Sequence, residues 1–344
     1  MYYSMYIGFL AGSIYLISGE NSISCKNNDG DFTDGWTIIK FPDSIDYIYY
    51  EKNGAQYILH NSSAIGISLN DTVYGAMPYT LSQIWGEGIQ YLIYNDENPI
   101  QVNYSFTVGH AKSVWAFSDD GGFVLQHSIP NFPFGPSIVS TYIGLPDSSW
   151  EYGQYLTCLS VNITQIAEMA EIAILIAPDI YDTQILSDAP SSIKDLASGM
   201  NSTDPICSYK DIYTISENKI IWFSKSAQWN NELWTECISP HFDTGLITET
   251  WIHGEVINST CDGTYEIYNA AYMNFEEGSQ SAYDSYTDHS KWAITLSASN
   301  TIVCFGDINR VYTQYTRGGG AFCWEDVDLW NILNKAVVNI SKCK

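Results

Sequence analysis

Short apolar runs of strand length, separated by clusters of Gly, Asn, Asp, Ser and Pro, recur along most of the chain. Trp36-Thr-Ile-Ile-Lys-Phe41 and Tyr47–Tyr50 are rich in β-branched and aromatic residues and predict strands. Gly54–Ile67 predicts a further strand-rich stretch broken by turns, and Tyr91–Tyr94 predicts a strand that enters a loop at Asn95-Asp96. A different period governs three segments. Over Ile163–Ile176 the residues follow helical spacing, and Ser191–Ala197 and Val327–Val338 predict two further helices. Strands dominate, so the expected class is mixed α+β. Polar residues accumulate with Pro190 and Pro205 around Ser187–Asp204, which divides the chain into two β-rich halves, residues 20–190 and 191–344.

One local pattern occurs twice. His110-Ala-Lys112 is followed by the run Ser113–Phe117, the turn cluster Ser118–Gly122 and the run Phe123–Gln126. His289-Ser-Lys291 is followed by Trp292–Leu296, Ser297–Asn300 and Thr301–Phe305. Each predicts a β-hairpin, and each triplet lies fourteen residues before a matching tetrapeptide, His127-Ser-Ile-Pro130 or Gly306-Asp-Ile-Asn309. Chance would supply His-x-Lys roughly 0.2 times in a chain of this composition, so two copies at equal spacing indicate an internal duplication. Residues two apart on a strand share a face, about 6.6 Å apart. Each His therefore projects with its Lys, and closing the hairpins brings His127 and Gly306 near Lys112 and Lys291.

In-line displacement at phosphorus explains why two copies are needed. One neutral imidazole attacks and forms a phosphohistidine, while an opposed imidazolium protonates the leaving oxygen. Lys112 and Lys291 hold the remaining phosphate oxygens, and no metal or cofactor is required. The alternative is a pair of structural His-Lys contacts on exposed strands.

Length and composition set the context. With 344 residues and 45 % hydrophobic content the chain can bury a large core. Met1–Ser18 carries no charge and is mostly apolar, as in a secretory leader ending near residue 19; an uncleaved anchor is the alternative because no basic segment precedes it. No later run has the length of a membrane span. Eight cysteines without a Cys-x-x-Cys pair, together with sequons at Asn61, Asn70, Asn103, Asn162, Asn201, Asn258 and Asn339, point to disulfides, glycosylation and a secreted or lysosomal protein. The net charge of −25 lacks the basic footprint of most nucleic-acid binders. Acid pH softens that objection by protonating imidazoles and some carboxylates. Both arginines, Arg310 and Arg317, follow the second hairpin and are candidate phosphate clamps, with a buried structural ion pair as the alternative. The Trp and Tyr side chains, read mainly as core and strand residues, could also stack on bases.

Several segments together resemble the deoxyribonuclease II family: Tyr94-Asn-Asp-Glu-Asn-Pro99, Gly109-His-Ala-Lys112, His127-Ser-Ile-Pro-Asn-Phe-Pro133, Phe223-Ser-Lys225, Asp288-His-Ser-Lys-Trp292, Gly306-Asp-Ile-Asn-Arg310 and Arg317-Gly-Gly-Gly320. Ala111 stands where the family's first triplet carries Thr. The resemblance implies a duplicated phospholipase D-like fold with a pseudo-twofold site, metal-independent cleavage of DNA at acid pH, and 3′-phosphate products. It makes His110, Lys112, His289 and Lys291 the catalytic set, with His127, Ser128, Asp307 and Asn309 as supporting or phosphate-contacting groups. It also implies the disulfides Cys25–Cys158, Cys261–Cys343 and Cys304–Cys323, which leaves Cys207 with Cys237. The order of the two imidazoles stays open, with His110 favoured as nucleophile, and oligomeric state is not fixed. Two other readings remain: a secreted relative that binds DNA or a host partner without turnover, and a phosphodiesterase acting on RNA or lipid headgroups.

Overall fold

The computed structural model describes residues 23–51, 54–58, 67–101, 107–276 and 280–343. The leader and the sequons at Asn61 and Asn103 lie outside them. The first sheet contains β1 (Gly35–Lys40), β2 (Tyr47–Glu51), β3 (Gly54–Ile58), β4 (Gln90–Asn95), β5 (Lys112–Phe117), β6 (Gly121–His127), β7 (Gln154–Asn162) and β8 (Ile180–Gln184). Its order is β3-β2-β1-β7-β6-β5-β4-β8. The second contains β9 (Cys207–Tyr213), β10 (Lys219–Lys225), β11 (Leu246–Thr250), β12 (Ile267–Asn274), β13 (Ala282–Asp284), β14 (Lys291–Thr295), β15 (Ile302–Gly306) and β16 (Gly319–Glu325), in the order β13-β12-β11-β14-β15-β16-β10-β9, and β17 (Val337–Ile340) pairs with β12. Around the two hairpins the order is the same in both: β1-β7-β6-β5-β4 in one sheet matches β10-β16-β15-β14-β11 in the other.

Helices α1 (Ala76–Leu81), α2 (Ile163–Ala173), α3 (Ser191–Ala197), α4 (Ser239–Phe242) and α5 (Val327–Ala336) complete the mixed α+β fold. α2 follows β7 and α5 follows β16, each opened by a side-chain cap. Asn162 accepts from Gln165 N at 3.0 Å, and Asp326 accepts from Asp328 N and Leu329 N at 3.1 and 3.0 Å. The apolar faces of α2 and α5 seal two cores that draw residues from both sheets. Ile166, Met169 and Ala173 pack with Trp115, Val161 and Trp222, and Leu329 and Leu333 pack with Ile39, Tyr155 and Phe305. The sheets thus share their buried surface. Among the described residues no helix is long and apolar enough to cross a membrane.

The sequence underestimated the second strand of the first hairpin. Gly121 and Gly122, read as turn, belong to β6. A Cβ would lie 1.9 Å from Ala116 O on Gly122 and 2.5 Å from Val161 O on Gly121, so close strand approach requires both glycines, and the φ of +150° at Gly121 adds a conformational reason. The predicted C-terminal helix also stops at Ala336, because Val337–Ile340 pairs with β12 instead. All four disulfides are present: Cys25–Cys158, Cys207–Cys237, Cys261–Cys343 and Cys304–Cys323.

Candidate active site

Equivalent strand registers bring the two His-x-Lys triplets to one cleft. In β5–β6, Ser113 pairs with Gln126, so the next pair outward is Lys112 with His127; in β14–β15, Trp292 pairs with Phe305, so the next is Lys291 with Gly306. The hairpins therefore end on the same residues of each repeat. Both His residues lie just before the strand that begins at Lys, and each is held by the opposite sheet. His110 N donates to Gly318 O at 2.8 Å, and His289 N donates to Gly153 O at 2.9 Å. Gly318 precedes β16 and Gly153 precedes β7, so the two anchors are reciprocal. Gly318 has a steric reason as well: a Cβ there would lie 2.1 Å from Ile176 O.

His110, Ala111, Lys112, His127, Ser128, Lys291, Gly306 and Asp307 line the cleft. His289 stands beside it, close enough that its charge is coupled to Lys291, Lys112 and His110. His110 Nδ1 lies 2.7 Å from Asp307 O; a carbonyl only accepts, so this nitrogen carries the proton and Nε2 keeps its lone pair. Ile129 N donates to His127 Nδ1 at 3.2 Å, which places the proton of neutral His127 on Nε2, a buried atom without a hydrogen-bond partner among the described residues. Ser128 Oγ bonds Gln154 Oε1 at 2.5 Å and accepts from Tyr155 N at 3.0 Å, so it braces the wall. Asp307 Oδ2 accepts from Gly320 N at 2.8 Å.

The first half-site is ionic. Lys112 Nζ bonds Asp96 and lies 3.3 Å from Glu97, and Arg317 Nη2 lies 2.9 Å from Asp96 Oδ2 while its Nε donates to Val108 O at 2.7 Å. Burial opposes ionisation of Asp96, but Lys112, His110 and Arg317 outweigh it and hold the carboxyl well below the usual carboxylate range. Burial likewise opposes the Lys112 ammonium, which Asp96 and Glu97 raise above its ordinary value.

The second half-site is aromatic. Tyr152 stacks on His289 with ring centres 4.1 Å apart and planes at 19°, and Trp251 packs on it at 4.2 Å and 52°. The substitution is positional. Asn95 pairs with Lys112 and Thr250 with Lys291, so Asp96 and Trp251 occupy corresponding places; Arg317 precedes Gly318 as Tyr152 precedes Gly153. An ion pair flanks one imidazole and two rings flank the other.

Burial, only partly offset by Asp96, pushes His110 down to about 3, and burial with Lys291 and Lys112 pushes His289 down to about 2. Burial and Lys112 lower Lys291 to about 8, and burial raises Asp307 to about 7. An anion seated between the two ammoniums would favour the charged form of both imidazoles, against the burial and the neighbouring cations that depress them.

Three predicted supporting residues, Asn309, Arg310 and Arg317, do not reach the cleft lining. Arg310 is fully buried, with Nη2 donating to Asn258 O at 3.3 Å and Glu232 as its strongest Coulombic partner. Asn309 is buried, and its backbone N donates to Gln314 Oε1 at 2.8 Å. Arg317 sits in the buried ion pair with Asp96, one shell behind His110. Asp96 lies in a segment that carries the family resemblance but had no assigned role, and Tyr152 and Trp251 had none either, because only strand adjacency places these three beside the triplets.

The deoxyribonuclease II family model matches residues 24–343. The chain belongs to the deoxyribonuclease II family. Among its relatives, plancitoxin-1 of Acanthaster planci is 30 % identical, with 95 % of this chain and 94 % of that protein covered. Deoxyribonuclease-2-beta of Mus musculus is 28 % identical with 95 % of each chain covered. Cell-death-related nuclease 7 of Caenorhabditis elegans is 28 % identical over 96 % of this chain and 91 % of its own length. This deoxyribonuclease II family member thus aligns over nearly its whole length, and every residue that lines the cleft falls inside the matched region.

Proposed function

We propose that the protein is an acid endodeoxyribonuclease that cleaves the phosphodiester through a phosphohistidine and leaves 3′-phosphate ends. The observation that carries this reading is the 2.7 Å contact of His110 Nδ1 with Asp307 O, which leaves Nε2 as a lone-pair donor beside two ammoniums. His110 Nε2 attacks phosphorus in line, and the bond to the 5′-oxygen breaks. His289 as imidazolium gives that oxygen its proton; the faces of Tyr152 and Trp251 favour the cationic ring. Neutral His289 then takes a proton from water, which attacks phosphorus and breaks the N–P bond. Lys112 and Lys291 hold the non-bridging oxygens, with the His127 Nε2–H as a further donor. Ser128 supports this wall through Gln154. Arg317 acts through Asp96, while Asn309 and Arg310 hold the loop behind the site.

In the same reading the two halves, residues 20–190 and 191–344, are repeats of a phospholipase D-like unit, supported by matching strand orders and hairpin registers. Four disulfides and the sequons support passage through the secretory pathway to a lysosomal or secreted destination.

Folded, glycosylated protein is expected to nick and linearise plasmid DNA at about pH 5 in EDTA, with a bell-shaped profile whose limbs belong to the coupled imidazole pair. Absence of cleavage under those conditions rules out the nuclease and leaves the binding protein. A second result is expected on the alkaline side. Burial raises Asp307 to about 7, so this cleft-lining group gains negative charge on the alkaline side of the profile, where it would repel a bound phosphodiester. Asp307→Asn keeps an oxygen for Gly320 N and should raise kcat/KM at about pH 7.5, relative to pH 5, by roughly several-fold. A profile that superimposes on the parent's removes Asp307 from that role.

A further inference from the structure

We propose that the aromatic side of the cleft is a nucleobase-stacking platform that takes an unpaired base next to the scissile phosphate; this rests on the nuclease reading above. The rings continue outward from His289. Trp251 packs on His289, His253 lies parallel to Trp251 with centres 4.8 Å apart and planes at 8°, and Tyr286 closes on His253 at 5.6 Å. Trp251 Nε1 donates to Tyr286 O at 3.0 Å, which fixes the indole to the segment carrying the tyrosine. The outer members are open to solvent: Tyr286 is 53 % exposed, His253 is exposed and Trp251 is half-buried. A file of rings that starts at the candidate proton donor and ends in solvent is not a core.

Charge gives the platform its purpose. The chain has 14 Lys and Arg against 39 Asp and Glu, and Lys40, Lys112, Lys225, Lys291, Arg310 and Arg317 are buried. Of the exposed or half-buried lysines, Lys210, Lys219 and Lys335 sit in ion pairs with carboxylates. Among the described residues only Lys26, Lys194 and Lys342 of the exposed or half-buried lysines stand outside those pairs, against 39 carboxylates in the chain, so contacts that carry no charge must supply much of the affinity along the strand. Base stacking supplies them and requires only a π-face. The corresponding positions of the first half-site hold the buried Asp96–Arg317 ion pair, so the stacking surface lies on one side of the cleft only. A base within a duplex has both faces covered, so the platform takes a base that has left its pair, at a frayed or flipped-out position of the strand.

Binding of a fluorescent thymidine decamer to the His110→Ala protein, which holds DNA uncut, tests this when one abasic nucleotide is moved along the strand. At one position the abasic site should weaken binding about tenfold. Adding Tyr286→Ser and His253→Ala should abolish that penalty, whereas Trp251→Phe, which keeps a ring, should preserve it. A flat abasic scan, a penalty that survives removal of the rings, or no binding of the decamer overturns the platform. Plasmid cleavage by the parent protein reports on the nuclease independently: cleavage with a flat scan removes only the platform, and a position-specific penalty without cleavage removes only the nuclease.

Discussion

Replacing His110 by alanine is expected to lower kcat for DNA cleavage at about pH 5 by roughly four orders of magnitude, with KM nearly unchanged. The size follows from the role: without Nε2 there is no covalent intermediate, and water must attack directly. His289→Ala should cost about as much with DNA, because a 5′-alkoxide leaves poorly without a proton. The double variant should be little worse than either single, since the two groups act as one unit. A p-nitrophenyl phosphodiester separates the roles. Its leaving group needs no proton, so it should restore formation of the phosphohistidine in His289→Ala and rescue nothing in His110→Ala. Rescue of His110→Ala alone would reverse the order of the two imidazoles, and a residual rate above about a tenth of the parent's in either variant would contradict the paired mechanism.

The second large effect is on stability. Asp96 is the shared counterion of Lys112 and Arg317, and all three are buried. Asp96→Ala removes the shared carboxylate from two buried cations and should cost about 3–5 kcal/mol, measured as a lower urea midpoint at unchanged slope with the disulfides intact. The pH dependence follows from the direction of the shift. Because the folded carboxyl lies well below its ordinary range, its contribution is complete above the unfolded pKa of about 4 and disappears only as pH falls through the depressed folded value. The penalty should therefore be fully expressed at about pH 5. A loss below about 1 kcal/mol would mean that Glu97, 3.3 Å from Lys112, replaces the missing charge.

Much of the site was legible from one repeated spacing. His-x-Lys followed after fourteen residues by a matching tetrapeptide prescribes a hairpin, and a hairpin of fixed length has one register that keeps its apolar residues on their faces. Local sequence therefore brings His127 to within about two residues of facing Lys112, and Gly306 likewise for Lys291; the strand pairing fixes the register. The helices at Ile163 and Ser191 were equally local, written in period and, for α2, its cap. The short α1, α4 and most strands of the second sheet were not, since brief apolar runs do not declare their period.

By itself, then, the chain determined the hairpins, the paired His and Lys, the family and the presence of disulfides, because each depends on residues near one another in sequence or on recognisable segments. Tertiary structure decided what surrounds them. It put Arg310 behind the site rather than in it, tied Arg317 to Asp96, and gave His289 two aromatic neighbours where His110 has an ion pair. Those neighbours come from strands and loops up to about two hundred residues away, joined by backbone bonds such as His110 N to Gly318 O. The physical reason is that strand order, and with it the local field around each imidazole, is set by which buried faces pack together and not by spacing along the chain.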